Sequence, residues 1–483
     1  MFRRLIRESA IYAGAGLFGQ AMLFVLFPFL AHTLSPRDYG VIDIVGVLTS
    51  LAFLTVALEI NQGLGRILIR TEEAEERSLY ASTALIWSIA SYTLLVVVGL
   101  VFAGPLTHAL LAPRVDVQVL RVALGTIWFG GALYLIQDQL RWLMRPAAFA
   151  AVSVVVAVTT AGATAVYVFV LRGGALGVVA GQLTACAVGL GVAAALSPRI
   201  YRLRFQWSKA RSMLAYSIPL VPSSLGVLLN SYADRLALQH ERSLAAVGVY
   251  GIGFRIAVVM TVLLMGVQGS MTPNVVAAHD HPETPRDIAR VFRMFWALGC
   301  VAFIFLSLLA EPLVRLLSAA AYFGAARVVP FLVAATFLAG LNVFAPGPAV
   351  AGRTRGIAVA NVVAGLLNLG LAFALVPSLG VRGAGLATLL SSAVGFLATM
   401  YVSHRLYPVP HYWRRLLSAA VVAVIAVLVT RTMFVSDRAT SLHVTSLAVR
   451  LGVSLCASLL VAAIAVEPDA LRRISLRARA TQA

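Results

Sequence analysis

The sequence predicts an all-helical integral membrane protein of about fourteen spans. Three observations carry that expectation. The chain has 483 residues, of which 60% are hydrophobic and 12% charged, whereas soluble domains are nearer half apolar and a quarter charged. Its mean hydropathy is +0.91. Apolar stretches near twenty residues, the length a helix needs to cross about 30 Å of hydrocarbon, recur from one end to the other.

The first span, near 10–32, follows the basic start "MFRRLIRES". That start resembles a signal peptide's, but the apolar run is long, lacks a small-x-small cleavage site and is followed by further spans, so it reads as retained. Runs broken by charge, Pro or Gly then give spans near 40–62, 80–103, 119–140, 149–170 and 175–196. A basic loop, "SPRIYRLRFQWSKARS", interrupts the series. After it come runs near 213–235, 246–269, 292–311, 328–350, 356–376 and 383–403, and a last pair near 416–434 and 444–466.

A cytoplasmic N-terminus puts Arg3, Arg4 and Arg7, the cluster at 199–211, Arg353, Arg355, Arg414, Arg415 and the tail at 472–479 on one side, which holds most of the basic residues. The positive-inside rule therefore predicts both termini inside. The net charge of +19 is accounted for by this topology. Its arginines are scattered through short loops rather than gathered with aromatics, and no nucleic-acid partner is expected. Cys186, Cys300 and Cys456 lie far apart in apolar runs, which predicts buried, inert thiols rather than a disulfide framework or a zinc site.

The spans repeat. Gly40 in "RDYGV" matches Gly248 in "AVGVY" at an offset of 208; "GPLTHALL" at 104 matches "EPLVRLLS" at 311; "GGALGVV" at 173 matches "RGAGLAT" at 382. A duplication keeps one offset through several elements, and these, at 208, 207 and 209, agree to within two residues. Six spans per repeat give both halves the same orientation about an axis along the membrane normal, with the transport site expected between them. The organisation predicted is an N-lobe over 1–198, a basic cytoplasmic linker at 199–212, a C-lobe over 213–405, and an extra helix pair with a basic tail over 406–483.

"LSPRDYG" after the first span, "SIPLVPSSL" opening the seventh, "SYADRLAL" at its end, "AAVGVYGIGFRIA" next, and "NVVAGLLNLGLAFALVPSLGVRGAGLATLLS" across the eleventh and twelfth form an ordered set. Together they resemble the polysaccharide-export, or Wzx-type flippase, branch of the multidrug/oligosaccharidyl-lipid/polysaccharide exporter superfamily. The resemblance covers spans one to twelve. It implies two pseudo-symmetric six-helix lobes in a V around a central cavity. It also implies movement of polyprenyl-pyrophosphate-linked oligosaccharide between the leaflets of the bacterial inner membrane by alternating access, for O-antigen, capsule or exopolysaccharide assembly. Membrane lipid is a partner throughout, and a polysaccharide polymerase and glycosyltransferases are the partners such a pathway supplies. Two relatives in the superfamily are alternatives. Multidrug/cation antiporters typically have twelve spans. Lipid II flippases share the fourteen but carry a Phe- and Asn-Pro-rich motif where "LSPRDYGVID" stands here.

Such translocation breaks no bond, so enzyme motifs are not expected, and none is present: the one lysine, Lys209, sits in "WSKAR", outside any phosphate-binding loop, and no GxSxG or HExxH occurs. Neither a cofactor nor a metal is expected. His279 and His281 in "AHDHPE", and the acidic "TEEAEER", read as hydrated loops.

What translocation does need is a polar path and compensation for an anionic headgroup. Arg255, nine residues into its span, lies roughly 13 Å deep. It is read either as a bidentate grip on phosphate or as a structural ion pair with Asp43 or Asp234. Asp234 and Arg235 close the seventh span with Asn230 one turn earlier, as cavity wall or as paired interface anchors. Asp43 is a candidate for sensing protons or binding Na⁺. Gln137, Arg141 and Arg145, with Asp138, form one polar stripe, and Glu59, Gln62 and Arg66 a second. Both stripes are candidates for an inward vestibule or for snorkelling helix ends. Pro219, Pro222, Pro346 and Pro348 are hinge candidates, because proline interrupts the helical hydrogen-bond ladder.

Overall fold

The computed structural model describes residues 2–71, 73–111, 115–197, 201–202, 204–264, 275, 281–351, 353, 355–433 and 444–465. His279, the tail at 472–479 and part of the 199–212 linker lie outside them. Among the described residues, helix is the only regular secondary structure. In order come α1 (Phe2–Thr33), α2 (Pro36–Thr55), α3 (Ile60–Arg70), α4 (Ala74–Val101), α5 (Ala103–Leu110), α6 (Val117–Trp142), α7 (Pro146–Ala165), α8 (Gly174–Leu196), α9 (Trp207–Ser217) and α10 (Val221–Glu241). These are followed by α11 (Leu244–Ala257), α12 (Thr284–Leu308), α13 (Ala310–Leu317), α14 (Val329–Gly340), α15 (Gly347–Val350), α16 (Arg355–Leu379), α17 (Val381–Leu406), α18 (Trp413–Met433) and α19 (Val444–Ala465).

Among the described residues, 13 helical stretches are long and apolar enough to cross a membrane, and α19 contributes a shorter apolar stretch, Ala448–Ile464. The expected multi-pass α-helical class is the one observed. Local signals account for where the elements begin. Ser35 and Asp38 form a reciprocal capping box with Pro36 at the first helical position of α2, and Gln118 N–H donates to Asp116 Oδ1 at 2.9 Å ahead of α6. Gly380, at φ +58°, ends α16 in the left-handed region. Arg172, 208 residues earlier, also stands at positive φ, +55°, between α7 and α8. Of the three free thiols, Cys300 is buried and Cys186 intermediate, but Cys456 is exposed, so the expectation of three buried thiols is corrected at that position. In a bilayer an apolar stretch is satisfied by lipid as well as by protein, so hydropathy does not separate the two.

The chain divides into two compact units. The first comprises Met1–Gly251, Leu317–Tyr322 and Asn361–Ala387. Here α8 packs on α6 and α7, α7 on α1, α4 and α2 on α6, α3 on α9, and α10 on α2. Small residues let the backbones close up, as they do between membrane helices generally: a Cβ at Gly226 would lie 2.7 Å from the Val362 backbone, and one at Gly181 2.8 Å from that of Thr164. The second unit comprises Ile252–Leu316, Phe323–Ala360 and Thr388–Ala483. Its helices α12, α14, α18 and α19 gather around α12. Phe292, fully buried, is edge-on to Phe344 at 5.3 Å and to His411 at 4.7 Å, and Trp296 Nε1–H donates to the Leu416 carbonyl at 2.9 Å.

Candidate functional site

Two clusters of buried polar side chains form within the first unit. The first is built by α2, α10 and α11. Asp234 is 0% exposed and Arg235 3%. Arg235 Nε lies 3.7 Å from Asp43 Oδ2 and its Nη1 3.3 Å from Asp234 Oδ1. Nη1 also donates to the Ser231 carbonyl at 2.8 Å. Tyr250 donates its hydroxyl to Asp234 Oδ2. The guanidinium lies 5.1 Å from the Tyr232 ring and 5.3 Å from the Tyr250 ring, which adds cation–π attraction in a dry setting. Burying charge in this way is tolerated only with partners and hydrogen bonds in place, and Asp234 and Arg235 have both.

The structure therefore corrects the reading of Asp234 and Arg235 as the end of a span. Helix α10 continues to Glu241, more than a turn further, and the pair is an interior feature that joins Asp43. Asn230, one turn before, accepts from Asn368 Nδ2 at 2.8 Å through its backbone carbonyl, which ties α10 to α16 rather than to the charges. Tyr250 was not foreseen. Its only sequence signal is an aromatic among small residues in "GVYGIG".

Where α2 meets α11, both helices use glycine. A Cβ at Gly40 would overlap the carbonyl oxygen of Leu244, and a Cβ at Gly248 that of Pro36. Gly251 leaves the space that the Asp43 carboxylate fills, since a Cβ there would overlap Oδ2. The close approach of the two backbones seats the Asp43 carboxylate against Gly251.

The second cluster surrounds Asp138, which is 6% exposed. Arg141 donates to Asp138 Oδ1, while Asp138 Oδ2 accepts from Trp142 Nε1 at 3.0 Å and from Asn61 Nδ2 at 3.5 Å. Asn61 also donates to the Tyr134 hydroxyl at 3.3 Å. Glu59, 5% exposed, accepts from Ser224 Oγ at 2.6 Å. Asn61, Tyr134, Trp142 and Ser224 complete a network of which the sequence showed only the charges.

The expected stripe of Glu59, Gln62 and Arg66 along one helix face is corrected. Between α2 and α3 the helix breaks, with Leu58 at φ +53° and Glu59 at φ +54°, a conformation non-glycine residues seldom adopt. Glu59 consequently turns inward to Ser224, whereas the exposed Arg66 packs over the Tyr216 ring at 4.4 Å. On the first stripe, Gln137 leaves the line of arginines to donate to Ser153 Oγ at 2.8 Å.

Arg255 sits on α11 two residues before its end at Ala257, half-buried, in the second unit. All four hinge candidates stand at breaks in helical backbone. Pro219 lies in a 3₁₀ turn, Ile218–Leu220, and Pro222 opens α10 after it. Pro346 precedes α15 and Pro348 lies in its first turn, after the 3₁₀ segment Leu341–Phe344. Missing N–H groups explain why the ladder resumes in a new register there.

A search of curated proteins finds no match to the sequence. Solved structures do match. A lipid II flippase in an inward closed conformation covers 94% of this chain and 98% of its own at 13% identity, with a TM-score of 0.72. An inward-facing multidrug resistance MATE family transporter of the MOP superfamily covers 80% and 94% at 14% identity, TM-score 0.68. A MOP superfamily transporter from Pyrococcus furiosus covers 83% and 95% at 15% identity, TM-score 0.60. At such identities the likeness is one of fold. The family model described as polysaccharide biosynthesis protein matches residues 29–327, well over half the chain and including every residue of both polar clusters. The chain belongs to the polysaccharide biosynthesis protein family, on the fold of the MOP superfamily transporters.

Proposed function

We propose that the protein is a flippase that carries polyprenyl-pyrophosphate-linked oligosaccharide from the cytoplasmic to the outer leaflet of the bacterial inner membrane, for O-antigen, capsule or exopolysaccharide assembly. The observation that carries this reading is membership of a polysaccharide biosynthesis family by a chain with a transporter's fold. Within the reading, both termini are cytoplasmic, the lobes are 1–198 and 213–405 joined by the linker at 199–212, and the segment 406–483 is an addition. Alternating access between the lobes moves the cargo, with no bond made or broken.

Arg255 grips phosphate, since a guanidinium presents two parallel donors to two oxygens. The Asp138 and Arg141 cluster receives the headgroup on the inner side. The cluster of Asp43, Asp234 and Arg235 carries one more carboxylate than guanidinium, and Asp43 is where coupling to protons or Na⁺ acts. The polymerase and glycosyltransferases of the same pathway are the partners.

One alternative has specific support: the lipid II flippase structure covers 94% of this chain. Mass spectrometry of the polyprenyl-linked glycans that accumulate in cells lacking the protein separates the two. Accumulated pathway oligosaccharide with ordinary lipid II levels supports the proposal. Accumulated lipid II replaces it, and accumulation of neither overturns both in favour of the antiporter reading.

A further inference from the structure

A cavity of about 820 Å³ in the first unit is lined by no member of either polar cluster. Arg37 in the first turn of α2, His240 and Arg242 at the α10–α11 junction, and Gln239 form its polar rim, while Ile44, Leu48, Leu236 and Phe373 supply apolar walls. The two arginines are held from behind. Arg37 belongs to the turn that the Gly40 and Gly248 contacts pin against the start of α11. Arg242 donates Nε to the Val376 carbonyl at 3.3 Å and Nη2 to that of Pro377, near the end of α16. Two bonds leave a guanidinium with further N–H donors. Arg37 is exposed and has no carboxylate partner among the described residues. The nearest acid to His240 is Glu241, 3.9 Å from its Nε2, and Glu241 does not line the cavity.

A cationic rim over branched apolar walls selects an amphiphile with an anionic head. Arginine forks match phosphate oxygens, and the apolar walls exclude a fully hydrated ion. In the topology proposed above, this end of the unit faces the outer leaflet, because α1 and α10 both run outward. We infer that the cavity is a phosphate-ester site that holds the isoprenoid-phosphate end of the cargo on the outer side, with Arg37, Arg242 and His240 on the phosphate and Leu48 and Phe373 on the first isoprene units. It rests on the flippase reading and adds to it a place where the lipid is held after crossing.

The test uses the full chain in lipid nanodiscs and a photoreactive polyprenyl monophosphate, with labelled peptides mapped by mass spectrometry. Labelling is expected within 44–48 or at 373, reduced at least about tenfold by Arg37→Glu with His240→Glu. Both side chains are exposed, so thermal stability should be unchanged. A second variant, Phe373→Ala, should reduce labelling without altering charge. Labelling elsewhere, or labelling indifferent to these variants, overturns the site. Inorganic pyrophosphate added alone separates the two sources of phosphate: a failure to compete in the millimolar range supports a lipid-borne phosphate, and full protection overturns it in favour of a free anion. Translocation by the unaltered protein is measured in parallel. Translocation without labelling at this cavity removes the site and leaves the flippase, whereas labelling without translocation removes the flippase reading itself.

Discussion

Gly40 and Gly248 make reciprocal contacts: the first lies against the carbonyl of Leu244 and the second against that of Pro36. Both glycines, and both of the residues they meet, are 208 positions apart. The pairing is therefore that of a two-fold contact, in which one residue meets another's equivalent and is met in return. The offset between the residues in contact is the offset read between the sequence motifs.

Either glycine should be intolerant of a side chain. Gly40→Val or Gly248→Val forces backbone apart from backbone and should cost at least about 1–3 kcal/mol, the range for overpacking. It should appear as a lowered unfolding temperature in detergent. Gly14→Ala, where nothing lies within 4 Å of the added Cβ, should leave that temperature within a degree or so of the parent's.

Removing one member of the buried charge cluster should be costlier than removing it whole. Arg235→Met leaves Asp43 and Asp234 facing each other across a dry site and should destabilise by about 3–5 kcal/mol. Tyr250→Phe deletes one hydrogen bond to a carboxylate and should cost about 1.5–3 kcal/mol. The triple change Asp43→Asn, Asp234→Asn, Arg235→Met should recover part of the loss seen for Arg235→Met. A triple variant no more stable than the single one contradicts this account.

Arg255→Ala should abolish translocation of a fluorescent polyprenyl-pyrophosphate sugar in proteoliposomes while insertion and fold persist. Arg255→Lys should restore only a small fraction, because an ammonium lacks the two-pronged geometry. Full activity in the alanine variant removes the phosphate role.

His411, in the segment between α17 and α18, is 6% exposed. Burial, with the charge of His404 adding to it, pulls its imidazole down to about 4. The unfolded chain holds a proton there below about 6.5, so it binds more protons than the folded chain between those values. Stability from this residue is intact above pH 6.5 and is lost as pH falls toward 4, by at most about 3 kcal/mol. His411→Phe should flatten that part of the pH–stability profile. An unchanged profile would falsify the assignment.

Class, span number and the charged members of both clusters were legible because hydrophobic length and isolated intramembrane charge are strong signals. Partner choice was not. Asp43 and Arg235 are nearly two hundred residues apart, and only the folded crossing of α2 and α10 joins them. The break at Leu58 and Glu59 carries no glycine or proline to announce it. It was missed because a left-handed residue in an ordinary sequence is held by tertiary contacts, here the bond from Glu59 to Ser224. Pro219, Pro222, Pro346 and Pro348, by contrast, mark breaks in helical backbone directly.

Asp43 and Gly251 are also 208 positions apart, and they touch. If the halves descend from a single six-span ancestor that paired with its own copy, both residues once sat on the dimer axis and were necessarily identical. Two aspartates there would have repelled, and two glycines would have carried no charge. In that descent gene fusion would release the constraint, letting one copy keep the carboxylate while the other shrinks to admit it. The asymmetry at this pair is something no homodimer could have evolved.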